Sequence, residues 1–113
     1  MVNLFIKASL FLVFAVFTNA TAQSGTHKTS TFKVWGNCGT CKKTIEASLK
    51  VKGVEKADWN VKTKMITVTY DESKITLDQI QKHIAAVGYD NDKYKGDDKA
   101  YAKLPGCCQY ERK

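Results

Sequence analysis

The chain has 113 residues, a formal net charge of +7 and a single proline. This length predicts one domain with a modest hydrophobic core. The lysines are spread along the whole chain, as on an ordinary solvated surface, so the positive charge alone indicates neither nucleic acid nor anionic lipid as a partner. No Ser/His/Asp set and no phosphate-binding loop is evident in the sequence, which predicts neither an enzyme nor a small-molecule substrate.

Residues 1–22 have the three-part order of a secretory signal peptide. One positive charge precedes the apolar segment 8–17, and residues 20–22 place small side chains at the expected cleavage position. The apolar run is shorter than the roughly 20 residues of a membrane-spanning helix. We therefore expect cleavage after Ala22 and export, most simply to the periplasm. Loss of Lys7 would leave 17 basic and 11 acidic residues, and export argues against nucleic acid.

The first predicted elements are a strand and a helix. Residues 23–30 are polar and rich in Ser and Thr, which favours a flexible leader. Residues 32–36 alternate and predict a strand with Phe32 and Val34 on one face. A helix is expected over residues 40–51, with Gly53 as its stop. Its predicted inner stripe has apolar residues at steps of four: Cys41, Ile45 and Leu49.

A hairpin, a second helix and a short strand complete the predicted fold. Two alternating runs, from Val54 and from Ile66, flank a turn at residues 62–64. Thr76 and Gln79 fit a capping box at the start of the second helix, and Gly88 fits its stop. A fourth strand is expected over residues 89–94. The resulting βαββαβ order predicts an α+β, ferredoxin-like sandwich, with two helices on one face of a four-stranded antiparallel sheet.

Of the four cysteines, Cys38 and Cys41 form the informative pair. Two thiols separated by two residues, in a loop that leads into a helix, can direct both sulfurs toward one point. The positive end of the helix stabilises thiolates, and Lys42 and Lys43 add positive charge. Thiolates select Cu(I), Hg(II), Cd(II) or Zn(II) over hard cations. The pair therefore predicts a soft-metal site that leaves the ion accessible to an incoming thiol.

A bare C-x-x-C motif leaves three other interpretations open. A thiol–disulfide oxidoreductase carries its dithiol at the same strand-to-helix junction, although thioredoxin-like folds place a cis-proline opposite it and the only proline here is Pro105. The pair could instead form a structural disulfide in a passive interaction module. A closed zinc site could use all four cysteines, but adjacent Cys107 and Cys108 do not match the usual spacing.

The remaining cysteines, Cys107 and Cys108, lie in residues 95–113, for which we expect an irregular tail. Adjacent cysteines do not easily form a disulfide with each other, because the geometry is demanding. The segment from Tyr94 to Cys107 can extend about 40 Å, far enough to return to the first pair. The tail thiols are therefore candidates for further ligands of the same ion, a second soft-metal site, a docking end for a transport partner, or disulfide partners of the first pair.

The segment Cys38-Gly39-Thr40-Cys41 between a strand and a helix, and Gly88-Tyr89-Asp90 after the second helix, resemble the heavy-metal-associated domain family over residues 31–94. That family includes copper chaperones, metal-binding repeats of copper-exporting P-type ATPases and a periplasmic mercuric-ion binding protein. The resemblance implies that Cys38 and Cys41 bind the ion and that Tyr89 shields it. It also implies a monomeric carrier of a soft metal ion. Cu(I) is the first candidate and Hg(II) the second, with Zn(II) and Cd(II) as further candidates. The implied partner is a membrane metal transporter or P-type ATPase.

The loop before the dithiol departs from the family pattern, Gly-Met-Thr-Cys-x-x-Cys. The position of the family's methionine, a packing residue, is taken here by Gly36. From this difference we expect a more mobile loop with altered metal affinity.

Overall fold

The computed structural model describes residues 26–113. The predicted signal peptide, residues 1–22, lies outside the described residues. The elements in chain order are β1 (His27–Lys33), α1 (Gly39–Ala47), β2 (Val54–Trp59), β3 (Met65–Asp71), α2 (Leu77–Ala86), α3 (Asp98–Ala102) and a 3-10 helix (Gly106–Cys108). Within this part of the chain, no helix has the length and apolar character needed to cross a membrane.

The three strands form one antiparallel sheet with the order β1-β3-β2. Alternation along β3 directs Ile66, Val68 and Tyr70 into the core, where each is buried. The apolar stripes of α1 and α2 join the same core through Ile45 and Ile84, both fully buried. This arrangement confirms the predicted α+β class and antiparallel sheet.

Strand β1 begins earlier than the sequence predicts, because it includes residues 27–30 of the expected flexible leader. His27 is paired with Asp71 at the far end of β3, and the pairing continues without a break to Lys33. The Thr29 and Thr69 hydroxyls also meet across the two strands at 3.2 Å. The polar residues that suggest a leader therefore form the exposed part of a paired strand, in which threonine is favoured.

Helix α1 is shorter than predicted and ends at Ala47, before the expected end at residue 51. The backbone N–H groups of Leu49 and Lys50 form turn hydrogen bonds to Glu46 and Ala47 instead of continuing the helix. Gly53 is therefore not the helix stop. With a φ of +98° it occupies the turn that leads into β2, a conformation that favours glycine.

Helix α2 confirms the predicted cap and stop. The backbone N–H of Gln79 donates to the Thr76 hydroxyl (3.1 Å), and the Thr76 N–H donates to the Gln79 side-chain oxygen (2.9 Å). This is the reciprocal capping box. Gly88 follows the helix with a φ of +100°, as expected of a residue just past a helix end.

The predicted fourth strand is not confirmed. In the described part of the chain, residues 89–94 contribute a single antiparallel bridge, between Asn91 and Val34 beside β1. The Asn91 side-chain oxygen accepts hydrogen bonds from the backbone of Lys93 and Tyr94, both at 3.0 Å. This local turn ends the pairing after one residue, because the chain curls back on itself.

The segment predicted as an irregular tail contains α3 and the 3-10 helix. The Asp97 carboxylate caps α3 by accepting a hydrogen bond from the backbone N–H of Ala100 (2.9 Å). The chain then turns at Pro105, whose carbonyl accepts from the N–H of Cys108 (2.8 Å). Residues 95–113 therefore have local structure of their own.

Candidate metal centre

The loop after β1 places the predicted dithiol at the N-terminus of α1. Cys38 is the N-cap residue, with an extended backbone (φ −145°), so its side chain projects beside the first helical turn. Cys41 lies within that turn, on the helix face that contacts the core, and is fully buried. Its sulfur accepts a hydrogen bond from the backbone N–H of Asn37 (3.3 Å). The two predicted ligands are thus held on either side of one helix end.

The helix N-terminus activates the Cys38 thiol. Backbone N–H groups of Cys41 and then Thr40 are the largest causes that lower the pKa of this thiol, from 9.0 to about 7. A thiolate is stabilised because these N–H groups have no partner within the helix. The N-terminus of α1 therefore favours the thiolate form of Cys38.

Lys42 does not provide the positive charge that the sequence suggests. Its ammonium lies 2.6 Å from the Glu46 carboxylate and 2.7 Å from the Asp58 carboxylate. It also donates to the backbone carbonyl of Trp59 (2.8 Å). Its charge is therefore compensated by two acids, and the helix backbone is the main source of positive potential at Cys38.

A third sulfur lies beside the dithiol and comes from the C-terminal segment. Cys108 is fully buried, and the sulfurs of Cys38, Cys41 and Cys108 all lie within 4.8 Å of one another. All four cysteines of the chain are free thiols. Burial is the largest cause that raises the pKa of Cys108, to about 12, so this sulfur is a neutral thiol when nothing is bound to it.

Cys107 lies outside the cluster and is exposed. Its backbone nevertheless contacts the dithiol loop, because its carbonyl accepts from the Cys38 thiol (3.6 Å) and from the Asn37 side-chain amide (3.3 Å). Its own sulfur is 3.9 Å from that of Cys108. The 3-10 helix thus directs one of two adjacent thiols inward and the other toward solvent, a difference that spacing alone did not predict.

Tyr89 packs beside the sulfurs, where the resemblance places a shielding aromatic residue. It is fully buried, and its ring stacks on that of Tyr110 at a centroid distance of 5.3 Å. Its hydroxyl has no hydrogen-bond partner among residues 26–113. Burial is the largest cause that raises its pKa, and the neighbouring thiols of Cys41 and Cys108 add to the shift. A buried hydroxyl without a partner is costly, and here it is available to donate to a thiolate.

A tryptophan side chain from β2 occupies the space beside Gly36, the residue at the position of the family's methionine. A Cβ atom on Gly36 would lie 3.0 Å from two ring atoms of Trp59 and 3.4 Å from the Cβ of Cys41. The indole is fully buried and donates to the backbone carbonyl of Val34 (3.0 Å). Trp59 therefore packs under the loop, in the space that a longer side chain at residue 36 would need. The sequence pattern did not indicate this packing role of Trp59.

These features define a small α+β domain with a thiol cluster at a helix N-terminus. A model of the heavy-metal-associated domain matches residues 31–90, more than half of the chain, so the chain belongs to the heavy-metal-associated domain family. Cys38, Cys41 and Tyr89 lie within the matched residues, whereas Cys108 lies beyond them.

Individual relatives support the same assignment. A zinc-transporting ATPase of Synechocystis sp. is 45% identical over 69 residues, which are 59% of this chain and 10% of that protein. The copper chaperone CopZ of Staphylococcus aureus is 38% identical over 55 residues, 48% of this chain and 81% of that protein. The crystal structure of oxidized MerP from Ralstonia metallidurans CH34 superposes with a TM-score of 0.55 and 32% identity, over 58% of this chain and 94% of that one. The chain thus spans only a tenth of the ATPase but most of the two small proteins.

Proposed function

We propose that this chain is an exported carrier that binds one soft metal ion through the thiolates of Cys38 and Cys41 and exchanges it with another protein. The observation that carries the proposal is the position of both sulfurs at the N-terminus of α1, where the pKa of Cys38 is lowered to about 7. A thiol that ionises near neutral pH can bind a metal ion with little cost of deprotonation.

The proposed ion is Cu(I), with Hg(II) as the second choice and Zn(II) or Cd(II) after them. Two thiolates suit a soft d10 ion of low coordination number. The relatives bear names of copper and zinc proteins, so they support soft-metal binding without selecting one ion. Cys38 is partly exposed, which would let an incoming thiol share the ion during transfer.

The proposed partner is a membrane metal transporter or P-type ATPase, and the proposed compartment is the periplasm. The similarity to the zinc-transporting ATPase supports a role next to such a transporter. The signal peptide expected over residues 1–22 supports export. In this role the protein works as a monomer, has no catalytic activity of its own, and delivers the ion to the transporter or receives it from there.

A thiol–disulfide oxidoreductase is the second candidate, because a lowered pKa at Cys38 would also activate a redox thiol. Among the described residues no peptide bond is cis, so the cis-proline of thioredoxin-like enzymes has no counterpart there. A passive module with a Cys38–Cys41 disulfide is the third. A carrier should not accelerate insulin reduction by a small dithiol in the absence of metal, whereas an oxidoreductase should.

The proposal is tested by anaerobic competition for Cu(I) between the reduced protein and a chromophoric chelator. We expect binding that competes with the chelator and is lost in the Cys38→Ser/Cys41→Ser variant. A Met65→Leu variant is the matched control, because its sulfur belongs to β3 and not to the cluster. Equal competition by the wild type and the double variant would contradict the proposal.

A further inference from the structure

The C-terminal segment is firmly attached to the domain, although it lies beyond the residues that the family model matches. Tyr110 is buried and its hydroxyl makes two hydrogen bonds to the backbone after α2: it donates to the carbonyl of Gly88 (2.7 Å) and accepts from the N–H of Asp90 (2.8 Å). Its ring contacts Tyr101 of α3 edge-on at 5.1 Å. These contacts determine the position of the chain on the C-terminal side of Cys108.

An ion pair adds a second attachment. The Arg112 guanidinium donates to the fully buried Asp90 carboxylate (2.8 Å) and to the carbonyl of Gly96 (2.6 Å). It also bonds the Asp98 carboxylate at the start of α3 (2.8 Å). Buried charges are stable only when paired and hydrogen-bonded, and here both conditions hold. The last residues of the chain are thus packed against the loop that carries Tyr89.

This attachment brings Cys108 close to ligand geometry for a shared ion. Three thiolates around an ion with metal–sulfur bonds of about 2.3 Å lie about 4.0 Å apart in a trigonal plane. The sulfurs of Cys38, Cys41 and Cys108 are already within 4.8 Å of one another. Closing the triangle therefore requires movements below about 1 Å, which small side-chain rotations can supply.

The surroundings of Cys108 combine the apolar core with polar groups. Cys108 packs into the hydrophobic core, but its sulfur also lies within 4.8 Å of two other sulfurs and beside Tyr89, whose hydroxyl lacks a hydrogen-bond partner in the part of the chain that the structure describes. A thiolate at Cys108 would give that hydroxyl an acceptor. The buried side of the cluster thus holds both a third ligand and a donor that would stabilise it.

We propose that Cys108 is a third thiolate ligand, which makes the centre a three-coordinate site for a divalent soft ion such as Hg(II). This inference rests on the proposed function of Cys38 and Cys41. Three thiolates leave a bound divalent ion with one net negative charge and Cu(I) with two. Because unpaired charge is costly to bury, the third sulfur reverses the order proposed for the dithiolate alone and places Hg(II) before Cu(I). Each bound thiol releases its proton to solvent, and no oxidant is needed.

The direct test is the number of sulfur ligands around Hg(II), measured by X-ray absorption on the reduced protein loaded with one equivalent. We expect three sulfurs in the wild type, two in Cys108→Ser, and three in the matched Cys107→Ser control. In competition with a small dithiol, Cys108→Ser should bind Hg(II) at least about tenfold more weakly, since even residues behind the ligands of a metal site contribute roughly 10- to 100-fold.

The outcomes separate this inference from the proposed function. Two sulfurs in the wild type would overturn the third ligand and leave the dithiolate carrier intact, a result that needs no variant to fold. Equal affinities of Cys108→Ser and Cys107→Ser would also overturn it. Failure of the wild type to bind Hg(II) or Cu(I) above the level of Cys38→Ser/Cys41→Ser would instead refute the proposed function, and the third ligand with it.

Discussion

Replacement of Tyr110 by phenylalanine should destabilise the domain far more than the loss of one oxygen atom suggests. The hydroxyl is the acceptor for the Asp90 N–H and the donor to the Gly88 carbonyl, in a residue that is only 2% exposed. Its removal leaves one buried donor and one buried acceptor without partners. Each such group costs roughly 1–3 kcal/mol, so we expect a loss of about 3 kcal/mol in the free energy of unfolding.

The assay is urea unfolding followed by far-UV circular dichroism, with thermal unfolding as a second measurement. For a domain of this size, the expected loss lowers the midpoint of thermal unfolding by roughly 15 °C. Tyr70→Phe is the matched control. Its hydroxyl bonds the partly exposed Ser30 side chain, at 3.2 Å, so its loss should cost about 1 kcal/mol or less. A Tyr110→Phe variant as stable as Tyr70→Phe would refute the assigned role of the buried hydroxyl.

Three further changes test other parts of the structure. Gly36→Met should lower the free energy of unfolding by about 1–3 kcal/mol, because its side chain must displace the Trp59 ring; an equally stable variant in urea unfolding would contradict this packing. Burial raises the pKa of Asp90, but hydrogen bonding, chiefly from Arg112, outweighs it and keeps this pKa below 3.8. The ionised Asp90 carboxylate therefore stabilises the folded state above pH 3.8, and this stabilisation is lost as the pH falls through the lower pKa of the folded state. Urea unfolding between these two pH values should show a decrease in the free energy of unfolding that is absent in Asp90→Asn. Thr76→Ala should cost about 1 kcal/mol and Thr76→Ser much less, and equal losses would argue against the capping box.

The features that sequence alone predicted depend on contacts between near neighbours. The capping box joins Thr76 to Gln79, three residues away, so both partners can be read from one short segment. The hairpin of β2 and β3 is similarly local. The approach of Cys38 to Cys41 follows from a single helical turn, so the spacing of the two cysteines is enough to predict the dithiol.

Two of the features that were missed depend on contacts between distant segments, and a third depends on a local turn. The sequence near Cys107 and Cys108 does not indicate which thiol turns inward. The 3-10 helix directs Cys108 inward, and Tyr110 holds this segment against the loop after α2, about 20 residues away in the sequence. The expected fourth strand fails for a different reason, since the turn at Asn91 competes with sheet pairing. Trp59 under Gly36 is likewise a contact between β2 and the loop after β1.

The copper content of the protein tests whether Cys38 and Cys41 bind a metal ion. The reduced protein is incubated anaerobically with excess Cu(I), passed through a desalting column, and analysed for copper and protein by elemental mass spectrometry. We expect about one copper ion per wild-type chain and almost none for Cys38→Ser/Cys41→Ser, because the double variant lacks the two thiolates proposed to bind the ion. Equal copper contents in the two proteins would contradict metal binding by this dithiol.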